Sequence, residues 1–299
     1  MPDLPQIKVA LVVPTLNPGQ AWNDWLNAFH IQKLRPEHLL IIDSSSHDGY
    51  PEKAASLGFR IHTIPRDEFS HGGTRQWAVE TLHEVEIVVF MTQDAVFADP
   101  SSLANLIVSF RDPGVGAAFG RQLPRKIASP IEAHARIFNY PVESRVKSIA
   151  DYRELGVKTA FFSNSFGAYR RTALLKAGGF PKELSFCEDI YASSNLLLAG
   201  WKIAYVSDAT VFHSHHYSYI QELRRYVSIG MFYGQENWIA SKFGKTQDEG
   251  KKYVISELRY LIPRHIHLLP SAFLRTALKL LGYRVGTFLA QWKDKKGNH

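Results

Sequence analysis

The sequence predicts an α/β protein, with a doubly wound, mixed sheet followed by a helical C-terminal extension. Three observations lead to this fold class. Short apolar runs alternate with helix-like stretches up to Arg111, polar residues follow the ends of those runs, and the pattern becomes helical after His216. A chain of 299 residues is also long enough to bury a sizeable core.

The first half of the chain accounts for the doubly wound sheet. Runs of β-branched and aliphatic residues predict strands, whereas apolar residues that recur every three or four positions predict helices. The predicted strands cover residues 8–14, 38–43, 60–65 and 87–92, and the predicted helices cover 20–34, 50–58, 72–85 and 100–111. Alternation at this spacing implies parallel βαβ units, so ligands are expected at the carboxyl ends of the strands.

The second half of the chain is less regular. We predict strands over residues 115–122, 159–169 and 202–207, and helices over 130–140 and 190–199. The sequence contains neither an internal repeat nor a low-complexity linker. The simplest division is therefore one α/β domain over residues 1–217 and a helical extension over residues 218–299.

Composition excludes several classes of protein. Apolar residues make up 45% and charged residues 21% of the chain, as in folded proteins and unlike disordered ones. The single cysteine, Cys187, cannot form an internal disulfide, and no apolar secretory segment follows Met1. We therefore expect a cytoplasmic protein. We also expect no transmembrane span, because charged residues interrupt the most apolar region, 266–290.

Positive charge is concentrated near the C-terminus. The net charge is +7, and from Lys251 onward ten basic residues accompany two acidic ones. The main body therefore lacks the basic stripe expected of a nucleic-acid-binding protein. Apolar residues recur at helical spacing between Leu274 and Leu289. This pattern fits either a helix packed on the domain or a helix in the interface of a membrane, at its inner face.

Two polar segments follow predicted strands. Residues 43–49 (DSSSHDG) offer acceptors to a base or ribose, or to the free amides of the next helix, and these roles are compatible. The segment has no dinucleotide or P-loop fingerprint. Residues 69–75 (FSHGGTR) combine two glycines, a helix start and Arg75, which predicts either part of a diphosphate pocket or a solvated turn.

Three further segments carry candidate ligands or bases. Asp94 ends the fourth strand and suits a divalent cation held through substrate phosphates, or a capping role. Glu188 and Asp189 precede a helix. One of them could act as general base, or both could interact favourably with the positive end of the helix dipole. His213 and His215 lie two residues apart, so in extended chain they face one side and could converge on a metal or a phosphate.

Seven short segments, taken in order, carry a family resemblance. They are VPTLN at 13–17, IDSSSHD at 42–48, FSHGGTR at 69–75, TQDA at 92–95, GRQLP at 120–124, FSNS at 162–165 and the Glu188–Asp189 pair. In order and spacing they resemble the inverting family 2 glycosyltransferases with a GT-A fold, and most closely the bacterial rhamnosyltransferases of that family. The resemblance covers residues 7–217.

The resemblance implies roles for individual residues. Asp189 would be the catalytic base, with Glu188 beside it. The segment TQD stands where most relatives carry D-x-D, so a site for Mg²⁺ or Mn²⁺ would consist of Asp94 with His213 or His215. The residues implied for the nucleotide-sugar donor are Pro14, Thr15, Asn17, Asp43, Ser46, Asp48, His71, Gly72, Arg75, Gln93 and Arg121.

The resemblance implies transfer of L-rhamnose from dTDP-L-rhamnose to a hydroxyl of a bacterial surface glycan, such as lipopolysaccharide, or of a lipid-linked acceptor. A related enzyme that uses a UDP- or GDP-sugar is the alternative within this class. A nucleotidyltransferase would show a glycine-rich loop with basic residues after the first strand, whereas residues 14–20 contain one glycine and neither Lys nor Arg. A non-catalytic carbohydrate- or membrane-binding protein is the third class considered.

Overall fold

The computed structural model describes residues 7–184, 186–244 and 246–297. The strands are β1 Val9–Thr15, β2 His38–Asp43, β3 Arg60–Thr63, β4 Ile87–Met91, β5 Val96–Phe97, β6 Val115–Leu123, β7 Arg145–Lys147, β8 Phe166–Arg170 and β9 Lys202–Phe212. The helices are α1 Ala21–His30, α2 His71–Thr81, α3 Ser102–Val108, α4 Pro130–Asn139, α5 Tyr152–Leu155, α6 Arg171–Lys176, α7 Glu188–Leu198, α8 Tyr219–Gln235, α9 Asn237–Phe243, α10 Thr246–Leu261 and α11 Leu269–Gly297.

The strands form one mixed sheet in the order β3-β2-β1-β4-β8-β6-β9-β5, and β7 pairs with the far side of β9. The first four strands of this order run parallel, which confirms the predicted βαβ units. Strand β8 runs antiparallel to both of its neighbours. The register places Thr15 of β1 beside Asp43 of β2, so polar residues at the ends of both strands meet at one edge.

Aromatic packing fixes α1 on the sheet. The rings of Trp22 and Trp25 stack with their centroids 4.6 Å apart, and Phe29 continues the row at 5.6 Å from Trp25. All three side chains are fully buried, and they belong to the same core cluster as Leu11 and Val13 of β1. Spacings of three and four residues place the three rings on one face of α1, so its burial follows from the helical period.

Three predicted elements differ from the structure. The strand predicted over residues 159–169 is confined to β8, because Ser193 and Lys147 occupy the carbonyls of Ala160 and Phe161 that a longer ladder would need. The helix predicted over 50–58 is a 3₁₀-helix, Pro51–Leu57. Strand β9 is longer than predicted: it ends at Phe212, immediately before His213.

The chain forms two compact units. The first comprises Met1–Leu123, Tyr140–Ile149 and Ala160–His213 and contains the sheet. The second comprises Pro124–Asn139, Ala150–Thr159 and Ser214–His299. Parts of residues 1–217 thus group with the C-terminal helices by contact, and the division of the chain after residue 217 stays a prediction.

Within the second unit, α8 and α11 pack closely through small residues. A Cβ atom added to Gly286 would lie 2.1 Å from the carbonyl oxygen of Val227, and one added to Gly282 would lie 2.7 Å from that of Leu223. The same contact encloses ionic groups, because Arg275 and Lys279 of α11 pair with Glu222 of α8 at 2.6 and 3.2 Å.

The opposite face of α11 is exposed and apolar. Its exposed apolar residues are Phe273, Leu274, Leu280, Leu281, Val285, Phe288 and Trp292. The helix is therefore arranged with charged and small groups inward and bulky apolar groups outward, the reverse of an ordinary surface helix. Among the described residues, every helix falls short of the length and apolar character that crossing a membrane requires.

We predict that Gly286→Ala lowers the melting temperature relative to Gly250→Ala. Both changes gain about 1 kcal/mol of helix propensity, but a Cβ at Gly250 meets nothing within 4 Å whereas one at Gly286 overlaps the α8 backbone. Overpacking of this kind costs about 1–3 kcal/mol. Circular dichroism melts of the two variants check the difference, and equal melting temperatures would contradict the described helix contact.

Candidate active site

The turn after β2 is held by side-chain acceptors. Asp43, 4% exposed, accepts hydrogen bonds from the hydroxyls of Thr15 at 2.8 Å and Ser46 at 2.6 Å, and from the Ser46 amide at 2.8 Å. Asp48 accepts from the amide of Gly19 at 2.8 Å. Asn17 has a positive φ of 41° and bonds the Ser46 hydroxyl and the His47 amide. Four of the predicted donor-binding residues, Thr15, Asn17, Asp43 and Ser46, therefore fix one another, and a fifth, Asp48, bonds the nearby Gly19.

Gln93 joins this turn to the end of β4. Its side-chain oxygen accepts from the Leu16 amide at 2.8 Å, and its side-chain nitrogen donates to the Leu16 carbonyl at 3.1 Å. Pro14, the residue opposite Ile42 in the β1–β2 register, immediately precedes the turn. The amide at the middle position of the TQD segment thus clamps the backbone, and Asp94 at its last position provides the acidic group.

Asp94 faces a buried histidine. Its Oδ2 atom lies 3.3 Å from Nε2 of His213, a residue that is 4% exposed. The other ring nitrogen of His213 lies 2.9 Å from Oε1 of Gln122, and the side-chain nitrogen of Gln122 donates to Ser163 at 2.9 Å. Since an amide oxygen only accepts, this contact puts the proton on Nδ1 and directs Nε2 toward Asp94.

The donor set fits a divalent cation. One ligand atom each from Asp94, His213 and His215 lies within 4.8 Å of the others, so both histidines considered from the sequence reach the same place. A carboxylate with imidazoles suits a divalent transition metal, whereas Mg²⁺ prefers oxygen ligands alone. The Gln122 contact is the kind of outer hydrogen bond that orients a histidine ligand.

Asp189 lies at the start of α7 with its carboxylate held by two amides. Its Oδ2 accepts from the amide of Asn164 at 3.2 Å, and its Oδ1 accepts from the amide of Ile190 at 2.8 Å. Burial, followed by the charge of the neighbouring Glu188, raises the pKa of Asp189 to about 7. A carboxylate with this pKa is suited to accept a proton near neutral pH.

Glu188 occupies a different environment from its neighbour. It is 6% exposed and accepts from Arg75 at 3.1 Å and from the side chain of Asn164 at 2.9 Å. Burial by itself would raise the pKa of Glu188, but the charges of Arg75 and His71 and the hydrogen bond from Asn164 together outweigh it and lower the pKa below the usual range. Tyr169, fully buried, completes the group by donating to Asn164 at 2.8 Å.

The cation group and the Asp189 group are joined through adjacent residues. Gln122, which orients His213, bonds Ser163, and the next residue, Asn164, bonds both Glu188 and Asp189. All of these residues belong to the first compact unit. The structure thus links the Asp94–His213 pair to the Asp189 carboxylate through a short series of hydrogen bonds.

Residues 69–75, the predicted part of a diphosphate pocket, have partners within the protein. Arg75 is 2% exposed and pairs with Glu188, and it also donates to the His71 carbonyl at 2.9 Å. Gly72 allows close approach of the backbone, because a Cβ there would lie 1.9 Å from the Pro181 carbonyl oxygen. This segment therefore anchors the chain before α7, with the guanidinium of Arg75 buried in an ion pair.

Arg121, predicted to contact the donor, has a partner within the protein. Its Nε donates to the carbonyl of Tyr140 at 3.2 Å, while the next residue, Gln122, points to His213. Gln122 and Asn164 are the site residues that the sequence did not single out. Alternation along β6 separates Arg121 and Gln122 onto opposite faces, and that signal could have identified Gln122 once His213 was placed on the neighbouring strand.

Known proteins share sequence similarity with this chain. The family model described as Glycosyl transferase family 2 matches residues 10–178. The O-antigen chain rhamnosyltransferase WbaN of Salmonella anatum is 43% identical over 277 residues, which cover 92% of this chain and 88% of that protein. The O-antigen chain rhamnosyltransferase RfbN of Salmonella typhimurium is 41% identical over 281 residues, covering 94% and 90%.

Solved structures share the fold. The mannosyltransferase PcManGT from Pyrobaculum calidifontis, in complex with GDP-Man and Mn²⁺, is similar with a TM-score of 0.58 and 19% identity, over 97% of this chain and 79% of that one. Residues 1–349 of S. aureus TarS, in complex with UDP-GlcNAc, give a TM-score of 0.56 and 14% identity, over 96% and 92%. At these identities the likeness concerns the GT-A fold.

We predict that Asp94→Ala weakens Mn²⁺ binding strongly and that Gln122→Ala weakens it by about 10-fold, because loss of an outer hydrogen bond typically costs about 10–100-fold in metal affinity. Titration of Mn²⁺ with dTDP present, followed by electron paramagnetic resonance, gives the dissociation constants. Asp208→Ala removes an exposed carboxylate and serves as the matched control. Undiminished affinity in Asp94→Ala would contradict the assigned site.

Proposed function

Because the chain belongs to glycosyl transferase family 2, we propose that it transfers L-rhamnose from dTDP-L-rhamnose to a hydroxyl of a bacterial surface glycan or its lipid-linked precursor, with inversion. The names of the two Salmonella relatives support the sugar and the kind of acceptor. The observation that carries the proposal is Asp189, a carboxylate fixed by two amides and with a pKa of about 7.

In the proposed reaction Asp189 accepts the proton of the acceptor hydroxyl while that oxygen attacks the anomeric carbon of the donor. The bond from this carbon to the diphosphate oxygen breaks in the same step, and dTDP leaves. Asp94, His213 and His215 would hold a divalent cation, which supplies positive charge to the departing diphosphate. The turn of Asp43 and Ser46 would bind the thymidine portion.

A UDP- or GDP-sugar is the second candidate donor, because the solved structures that share the fold contain UDP-GlcNAc and GDP-Man. Release of nucleoside diphosphate from dTDP-rhamnose, UDP-GlcNAc and GDP-mannose, each with a lipopolysaccharide acceptor, separates the two candidates. We expect turnover with dTDP-rhamnose to exceed the others by at least about 100-fold. Faster turnover of either other donor would replace the proposed sugar.

We predict that Asp189→Asn lowers kcat by about 10²–10⁴-fold and leaves the dissociation constant for dTDP nearly unchanged, since the carboxylate acts on the acceptor. For the unaltered protein, kcat/KM should rise with pH through about 7, because only the ionised form of Asp189 accepts a proton. Asp67→Asn changes an exposed carboxylate and provides the control. Turnover of folded Asp189→Asn at the control rate would contradict the assignment.

We further propose that the protein acts at the cytoplasmic face of a membrane and contacts it through α11. The outward face of this helix presents bulky apolar side chains, while Arg275 and Lys279 are drawn inward by Glu222. Arg284 and Lys293 remain exposed beside the apolar row and supply positive charge. An apolar face flanked by cations fits an interfacial helix on anionic lipid, where each nearby cation contributes about 1 kcal/mol.

We predict that the triple change Phe273→Ser, Leu281→Ser and Phe288→Ser abolishes co-sedimentation with phosphatidylglycerol vesicles. The three side chains are 56%, 52% and 65% exposed, so their loss removes apolar contact with lipid and little packing within the protein. Added salt should release part of the unaltered protein, because the cations contribute to binding.

The matched control for this experiment is Ile127→Ser, Val142→Ser and Val146→Ser, which removes three exposed apolar side chains elsewhere. This variant should sediment like the unaltered protein. Sedimentation velocity shows whether a second copy of the chain covers the apolar face of α11 instead of lipid. Failure of the unaltered protein to bind vesicles, or its dimerisation through this face, would overturn the membrane proposal.

A further inference from the structure

Two consecutive acidic residues at the start of α7 have opposite surroundings. Asp189 is held by main-chain amides, whereas Glu188 is buried against the guanidinium of Arg75 at 3.1 Å. The N-cap residue before them, Cys187, has a left-handed φ of 62°, a conformation that non-glycine residues rarely adopt. The chain thus turns sharply into the helix and separates the two carboxylates.

Asn164 connects the two environments. Its main-chain nitrogen donates to Asp189 at 3.2 Å and its side-chain nitrogen donates to Glu188 at 2.9 Å. Its side-chain oxygen accepts from the buried hydroxyl of Tyr169 at 2.8 Å. Because every polar atom of this asparagine side chain has a described partner, a shift of Glu188 would move the amide that holds Asp189.

We propose that Arg75 and Glu188 form a positioning pair that fixes Asp189 and balances its charge environment, so that neither residue contacts substrate. This inference rests on the proposed function, in which Asp189 accepts a proton. It gives Arg75 a role that differs from diphosphate binding, and it makes Glu188 a positioning residue rather than a catalytic one.

The charges around Asp189 give the pair a measurable effect. Glu188, on the same helix, raises the pKa of Asp189, and Arg75 of α2 lowers it. The other titratable groups of this cluster are Tyr169 of β8, whose pKa lies well above its usual range because it is buried, and His71 of α2, whose pKa burial and Arg75 lower. Both are therefore neutral at pH 7, and the net effect depends on Glu188 and Arg75.

The test is the acid limb of the kcat/KM profile, with dTDP-rhamnose as donor. Glu188→Gln removes the negative charge and should move the limb to lower pH by about one unit. Arg75→Gln removes the positive charge and should move the limb to higher pH by a smaller amount, because Arg75 affects the pKa of Asp189 less than Glu188 does. The double variant should place the limb between those of the two single variants.

Shifts in opposite directions are not expected from a merely structural role, which would lower kcat/KM equally at every pH. Limbs that stay in place in both folded single variants would overturn the proposal. Direct contact of Arg75 with the diphosphate would instead raise the dissociation constant for dTDP in Arg75→Gln, and that result would also overturn it. Arg75→Lys retains the charge and should keep the limb in place.

Removal of one buried charge can unfold a protein, so a second measurement uses the unaltered chain. Carbon-13 resonances of the side-chain carboxyls should show Asp189 titrating near pH 7 while Glu188 stays ionised until a lower pH. Protonation of Glu188 before Asp189 as the pH falls would overturn the proposal. An active Asp189→Asn protein would refute the proposed reaction itself, which distinguishes the two failures.

Discussion

The buried hydrogen bonds of Asn164 are the interaction on which the candidate site depends. They hold the two carboxylates at the start of α7 in different states, one paired with Arg75 and one fixed by amides with its pKa near neutrality. The preceding residue, Ser163, receives the bond from Gln122 that orients His213. Loss of Asn164 would therefore disturb Glu188 and Asp189 and, through its neighbour Ser163, the orientation of His213.

Unusual backbone conformations accompany this arrangement. Among the described residues the non-glycine positions with positive φ are Asn17, Ser45 and Cys187, and each lies in a segment assigned to the site. Such conformations persist where surrounding contacts enforce them, and side-chain hydrogen bonds supply those contacts at Asn17 and Ser45. The backbone conformations of Asn17 and Ser45 are thus held by contacts within the protein itself.

The sequence was sufficient for the parallel half of the sheet, since apolar runs and the topology rule placed Thr15, Asp43 and Asp94 at one edge. It was insufficient where a side chain competes with the backbone, as at Ala160, whose carbonyl accepts from Ser193 instead of a strand. It also could not show that Arg75 is buried, because that depends on a pairing with a residue more than one hundred positions away.

In the proposed reaction Asp189 alone accepts a proton while Glu188 stays engaged in an ion pair with Arg75, which favours a single displacement over a route through a covalent sugar intermediate. The most direct test is the anomeric configuration of the product, measured by nuclear magnetic resonance from the one-bond carbon–hydrogen coupling of the transferred rhamnose. We predict a configuration opposite to that of the donor. A product with the donor's configuration would require a second displacement and would contradict it.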